Sequence, residues 1–302
     1  MMESLQSKAK ELIKDASVAV IIGYAAGTKK GKTKPFFAYS EEDCEKLIFT
    51  PECVNNLTIY LTRKFDFMKK GKVAIVAKGC DIKTINVLIQ ENQLKRDDVV
   101  ILGVSCEGVV DKDVILDRAE LTADLPEDKK SIKCITCDVN TPSDFDHLFG
   151  EGVESKAIEP MTGGIYDEVD KVRGMAQGEK WNFWMEHFER CIKCYACKKV
   201  CPLCYCDVCI TEKNQPQWIE TSAHERGNYA WNIKRAMDLS GRCTFCGECD
   251  RVCPAEIPLN LLNQEMAKLN YEAFDGYRAG YQTEEKPPFV SFKEDDDEGF
   301  IR

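Results

Sequence analysis

Hydrophobic positions divide the chain into an amino-terminal region with strand-like runs and a carboxy-terminal region with helical spacing. The runs Val18 to Tyr24, Lys72 to Ala77 and Val99 to Val104 are rich in β-branched residues, which predicts buried strands. Between the last two, apolar residues recur at helical spacing over Asp81 to Leu94. This alternation is a βαβ unit, and it predicts an α/β domain with a parallel sheet.

Helical patterns dominate the second region, over Trp181 to Phe188, Asn228 to Leu239 and Leu259 to Leu269. A stretch rich in Gly and charge, without a strong period, lies between about 155 and 180, and we place the domain boundary there. The expected organisation is an α/β domain over 1–165, a mainly α domain over 166–283, and an acidic, proline-containing tail over 284–302.

Composition narrows the class of protein. The chain is 44% apolar and 30% charged, as in an ordinary soluble protein. Its formal charge of −10 argues against a nucleic-acid partner, which would require a surplus of Lys and Arg. The longest apolar run, Ala16 to Gly27, falls short of the ~20 residues that a bilayer span needs. We therefore expect no membrane span and a cytoplasmic location.

Cysteine is the abnormal residue. The chain has 17 cysteines, of which 11 lie between Cys191 and Cys253. The other six are spread over the amino-terminal region: Cys44, Cys53, Cys80, Cys106, Cys134 and Cys137. In a reducing compartment, repeated cysteine spacings indicate metal binding or catalysis rather than disulfides.

Two blocks repeat the pattern C-x2-C-x2-C-x3-C-P, one from Cys191 to Pro202 and one from Cys243 to Pro254. In two-cluster ferredoxins the first three cysteines of such a block bind one [4Fe-4S] cluster, and the fourth binds the other cluster. This rule assigns the first cluster to Cys191, Cys194, Cys197 and Cys253, and the second to Cys243, Cys246, Cys249 and Cys201. The alternative is zinc, which needs neither the third close cysteine nor the proline.

Three more thiols follow the first block, at Cys204, Cys206 and Cys209. They are either extra ligands for a further metal or unligated cysteines that pack around a cluster. The 41 residues between Cys201 and Cys243 resemble the spacing in α-helical ferredoxin domains of respiratory and heterodisulfide-type reductases.

Four of the sparse cysteines are candidates for a third site. Cys80 and Cys106 each follow a predicted strand, so in a parallel sheet both lie at the carboxyl edge, where such folds bind ligands. Cys134 and Cys137 add a CxxC pair. Four thiols have the right number and softness for another [4Fe-4S] cluster.

These cysteines also carry a family resemblance. Four segments resemble successive motifs of the beta-subunit family of coenzyme F420-reducing hydrogenases and formate dehydrogenases. They are Lys-Gly-Cys80-Asp-Ile, Leu-Gly-Val-Ser-Cys106, Cys134-Ile-Thr-Cys137-Asp and Asp146-His-Leu-Phe-Gly150. The resemblance covers residues 16 to 165 and implies that the four cysteines bind a [4Fe-4S] cluster beside a flavin.

The same resemblance implies partners: a hydrogenase, a formate dehydrogenase or a heterodisulfide-reductase-like flavoprotein of an anaerobe. FAD-binding members have a longer amino-terminal segment before the first strand than this chain has, so FAD is the weaker cofactor prediction. Cys44 and Cys53 match none of the motifs, and we interpret them as structural.

One further motif matches a nucleotide site. Ala26 to Thr33 satisfies the P-loop pattern after a strand, but a P-loop must open a helix. Lys34-Pro35-Phe-Phe-Ala instead predicts another extended run, so we expect a basic loop on a solvated face or at an interface.

The most consistent function is electron transfer by an iron-sulfur subunit of a multi-subunit anaerobic oxidoreductase, between a partner's flavin or metal site and another redox subunit. No catalytic residue or substrate site of its own is expected. One alternative is a FAD-containing subunit that exchanges hydride with F420 or NAD(P). Another is a thiol redox sensor or scaffold that uses Cys204, Cys206 and Cys209.

Overall fold

The amino-terminal region folds around a five-stranded sheet. The computed structural model describes residues 1–62, 70–116, 125–151 and 164–290. The strands are β1 Val20–Ala26, β2 Thr33–Ala38, β3 Val73–Ala77, β4 Val99–Val104 and β5 His147–Phe149. Their order in the sheet is β2-β1-β3-β4-β5, with β1, β3, β4 and β5 parallel to one another.

Strand β2 departs from the predicted parallel sheet, because it runs antiparallel to β1, with Gly23 opposite Phe36. The six residues between the two strands are enough for a hairpin, whereas a parallel return would need a crossover of a dozen or more. The P-loop-like segment is this hairpin loop, and its basic Lys32 donates hydrogen bonds to the carbonyls of Lys112 and Val114. The prediction of an extended run in place of a helix is therefore confirmed.

Ten α-helices lie in the described parts of the chain. They are α1 Met2–Lys14, α2 Glu41–Cys44, α3 Gly79–Gln90, α4 Ile132–Ile135, α5 Asp167–Arg173, α6 Gln177–Glu189, α7 Ala196–Val200, α8 Glu225–Asp238, α9 Glu248–Val252 and α10 Leu259–Ala273. Short 3-10 turns lie at Leu57–Leu61, Arg96–Asp98, Glu127–Lys129 and Ile210–Glu212. Every helix that the sequence pattern predicts is present, with ends shifted by a few residues.

Helix α3 is buried on both sides. Its apolar residues Ile82, Ile85 and Leu88 lie in the core of the sheet. Its polar residues face the carboxy-terminal region: the hydroxyls of Thr84 and Thr244 lie 2.9 Å apart, and the Asn86 amide donates to the Gly280 carbonyl at 2.9 Å. These hydrogen bonds across the contact offset the burial of the Thr84 hydroxyl and the Asn86 amide nitrogen, whereas the Asn86 Oδ1 has no partner among the described residues.

The two regions share packing beyond this helix. Leu203 and Leu239 of the second region belong to the core of the sheet, and a separate core gathers Phe188, Trp231 and Leu262. Part of the predicted boundary, 152–163, and the last part of the predicted tail, 291–302, lie outside the described residues. The described start of the tail turns back onto the protein, where Phe289 packs against Phe274 with ring centroids 5.6 Å apart.

Candidate iron-sulfur sites

The carboxyl edge of the sheet brings four thiols to one cavity, which is lined by Cys80, Cys106, Cys134 and Cys137. Cys80 lies in the first turn of α3 and Cys106 follows β4, and their preceding strands pair in parallel with Ala77 beside Gly103. The other two come from α4 and the turn after it. Residues up to 57 positions apart in the sequence thus meet as the strand pattern predicts.

Close backbone packing forms the walls of this sheet-edge cavity. At Gly79 an added Cβ would lie 1.9 Å from the carbonyl oxygen of Val139, so only glycine allows the loop after Cys137 to approach α3. The loop is fixed by a reciprocal pair, because Cys106 N–H donates to the Asn140 carbonyl and the Asn140 amide donates to the Cys106 carbonyl, both at 2.9 Å. The Val109 N–H donates to the sulfur of Cys134 at 3.4 Å.

The cavity is strongly cationic. Its lining includes Lys78, Lys83, Lys133 and Arg278, against the single carboxylate of Asp138. Burial raises the pKa of the Cys106 thiol to about 12, although the Lys78 ammonium opposes that rise. Thiols in such a place stay neutral unless a metal replaces their protons, and a thiolate-bound cluster carries a negative charge that the surrounding cations would balance.

Lys78 is the most deeply buried of these cations, at 2% exposure. Its ammonium lies 3.0 Å from the Asp81 carboxylate, donates to the Asn55 carbonyl at 2.9 Å and also bonds the Tyr24 hydroxyl. Burial lowers the pKa of Lys78, but Asp81 and Tyr24 outweigh it and hold that pKa well above its usual value. The ammonium therefore stays protonated near the thiols, and the Asp81 carboxylate offsets part of its charge there. Sequence reasoning missed it, although a Lys directly before Gly79 and Cys80 at a strand end was a usable signal.

The two repeated blocks adopt the same backbone conformation. In each block the third and fifth residues have positive φ: Lys193 and Tyr195 at 55° and 58°, Phe245 and Gly247 at 58° and 69°. Left-handed backbone is uncommon for a non-glycine residue and marks a functional constraint when it is repeated. Alternation of this kind turns successive N–H groups toward a shared concavity, which is the backbone nest found at many iron-sulfur sites.

The fourth cysteine of each block, Cys253 or Cys201, lies near thiols of the opposite block. Cys197 has Cys191, Cys253 and Cys194 as its electrostatic neighbours among the thiols. Burial raises the pKa of Cys243 and of Cys246 to about 12, and the thiol of Cys201 adds to both shifts. Helices α7 and α9, which follow the two loops, pack against each other.

The surplus thiols line a different cavity, of about 400 Å³. Cys204 packs against the core of the sheet and its backbone N–H donates to the Cys201 carbonyl at 3.2 Å, whereas Cys206 is exposed. Cys209 accepts a hydrogen bond from the Thr211 hydroxyl at 3.1 Å. Cys44 and Cys53, interpreted as structural, are fully buried in the core.

Within the described ranges, no group of three Cys, His, Asp or Glu side chains is arranged to hold a metal ion. A [4Fe-4S] cluster has four cysteine ligands, and each of them binds a different iron. The sulfur atoms of these cysteines therefore stand farther apart than the ligands of a single metal ion. Over the same ranges, every helix is too short or too polar to cross a bilayer.

A cysteine-lined sheet edge joined to two ferredoxin-type blocks is typical of electron-transfer subunits of oxidoreductases, and comparison with known proteins agrees with that class. The chain is similar to F420-dependent formate dehydrogenase subunit beta of Methanocaldococcus jannaschii, with 24% identity over an alignment covering 74% of this chain and 77% of the relative. Subunit beta of F420-dependent formate dehydrogenase 1 from Methanococcus maripaludis is 22% identical, covering 66% and 71%. These relatives confirm the resemblance carried by the cysteine motifs. No family model matches the chain.

Proposed function

We propose that this protein is an iron-sulfur subunit of a multi-subunit anaerobic oxidoreductase, which passes single electrons between a partner's flavin or metal site and another redox subunit. The observation that carries the proposal is the meeting of four distant thiols in one cationic cavity, beside two blocks with ferredoxin spacing. Bound [4Fe-4S] clusters would supply one-electron chemistry with little change in structure.

We assign twelve of the thiols to three ligand sets. One comprises Cys80, Cys106, Cys134 and Cys137; the second comprises Cys243, Cys246, Cys249 and Cys201; the third comprises Cys191, Cys194, Cys197 and Cys253. The residues fit the group, since soft thiolates, cationic walls and backbone nests are the features that iron-sulfur clusters require.

The contacts between the sets suggest an order of transfer. The sheet-edge cavity is also lined by Thr244 and Phe245, which lie between Cys243 and Cys246 of the second set. The second set adjoins the third through the crossed cysteines and the packing of α7 on α9. Electrons would therefore move along the order sheet edge, second set, third set, in either direction, and Cys194 of the third set is exposed at the surface.

A second candidate is a FAD-containing subunit that exchanges hydride with F420 or NAD(P). The F420 dependence in the names of the relatives favours it. In that case flavin would convert two-electron into one-electron transfer next to the sheet-edge thiols.

The deciding experiment measures iron, acid-labile sulfide and flavin in protein purified without oxygen. The electron-transfer proposal expects about twelve irons per chain, four for each of three clusters, and no flavin. Stoichiometric FAD would favour the second candidate. Zinc in place of iron would overturn both.

A further inference from the structure

Arg235 is a buried cation placed among the ferredoxin-type cysteines. It lies on α8 and is 5% exposed. Its Nη2 donates to the Cys197 carbonyl at 3.2 Å, and its Nε has no hydrogen-bond partner within the described part of the chain. No carboxylate among the described residues comes within ion-pairing distance of it. A guanidinium buried in this way is unfavourable unless some other negative charge compensates it.

The thiols around Arg235 would supply that charge if they were thiolates. Its electrostatic neighbours are the thiols of Cys201, Cys249, Cys204 and Cys197. Cys201 and Cys249 belong to the second ligand set and Cys197 to the third, so the guanidinium stands between the two. The carboxylate of Asp250, next to Cys249 in the sequence, is a more remote charge on the same side.

We propose that Arg235 is a positioning residue shared by the two ferredoxin-type clusters, and that its charge raises the reduction potential of both. This inference rests on the proposed function, because it requires that the eight cysteines bind clusters. Reduction adds one electron to a group that is already negative, so a fixed positive charge nearby favours the reduced state.

The test is a redox titration of the full-length chain, purified without oxygen and followed by electron paramagnetic resonance, with iron measured on the same samples. The variants are Arg235→Gln, which removes the charge, and Arg235→Lys, which keeps it. The matched control is Lys171→Gln, because Lys171 is an exposed cation on α5 that pairs with Glu168.

We expect Arg235→Gln to keep its iron and to lower the midpoint potential of at least one cluster. At a fixed potential, the ratio of reduced to oxidised cluster should fall tenfold, which corresponds to a midpoint shift of about 59 mV. In Arg235→Lys the ratio of reduced to oxidised cluster should stay within threefold of that in the unaltered protein. In Lys171→Gln the midpoint potentials should not change. Unchanged midpoints in Arg235→Gln with full iron would overturn the proposal.

Two further outcomes are separable. If Arg235→Gln loses iron, the Arg235→Lys variant provides the test. Full iron in Arg235→Lys with a tenfold lower ratio of reduced to oxidised cluster would show that hydrogen bonding rather than charge matters, and would overturn the proposal. If the unaltered chain itself contains no iron, the proposed function fails, and the role of Arg235 fails with it.

Discussion

The ammonium of Lys133 donates a hydrogen bond to the carbonyl oxygen of Cys246 at 2.7 Å. Lys133 directly precedes Cys134 of the sheet-edge cavity, and Cys246 lies at the centre of the second ferredoxin-type block. The same ammonium contacts the Val54 carbonyl at 3.4 Å. One partly buried side chain therefore joins the amino-terminal site to the carboxy-terminal one, and helps to fix the separation across which an electron would pass.

Replacing Cys134 with Ser should remove one cluster and leave two. We expect a loss of about four irons per chain, because each [4Fe-4S] cluster has four cysteine ligands and this set shares none with the ferredoxin-type blocks. Iron analysis checks the loss. Cys44→Ala is the matched control, since Cys44 is a fully buried thiol remote from the cavity, and it should keep all its iron. Unchanged iron in Cys134→Ser would refute the sheet-edge cluster.

Gly79→Ala should damage the same site through the backbone. The new Cβ would overlap the Val139 carbonyl and push away the loop that carries Cys137, so about four irons should again be lost. Gly178→Ala is the control: Gly178 lies in α6 with nothing within 4 Å of the added methyl, and alanine there should be neutral or stabilising by up to ~1 kcal/mol. Equal iron in the two variants would show that the close approach at Gly79 is not needed.

Substitutions at Cys201 and Cys204 test which of these two neighbouring thiols is the fourth ligand of the second cluster. We expect Cys201→Ala to lose the cluster of the second block, 42 residues away in the sequence, while Cys204→Ala keeps it. Spectra of the reduced proteins, recorded with their iron content, make the comparison. Loss of iron in Cys204→Ala alone would assign the fourth ligand to Cys204 instead.

The contact between the two regions should depend on Arg242 and Glu91. The Arg242 Nη2 donates to Glu91 Oε2 at 2.8 Å, a second bond joins Arg242 Nε to Glu91 Oε1, and the Glu91 side chain is 5% exposed. Arg242→Met would leave that carboxylate with the Tyr205 hydroxyl alone, so the free energy of unfolding should fall by about 3 kcal/mol.

Denaturant unfolding under anaerobic conditions measures this change. Lys171→Met, which breaks the exposed pair with Glu168, should change the free energy of unfolding by less than about 0.5 kcal/mol. Similar values for the two variants would show that the Arg242 pair does not hold the regions together.

Local sequence patterns located the main strands and helices and led to the predicted thiol groupings. The spacing of hydrophobic residues predicted the ends of β3, α3 and β4 to within a few residues, because the periods of strands and helices are properties of short segments. The blocks at Cys191 and Cys243 indicated cluster chemistry because ligand spacing around a small cluster is also local. The same reasoning placed Cys80 and Cys106 at one edge of the sheet.

Tertiary structure alone decided what surrounds the thiols. Nothing in the sequence near Lys133 indicates its bond to Cys246, and nothing near Arg235 indicates that it lies between two cysteine sets. Charge, burial and hydrogen bonding around a site depend on segments that are distant in the chain and meet only when the cores pack. The antiparallel direction of β2 was missed for a related reason, since strand direction depends on how the connection closes and not on the strand's own pattern.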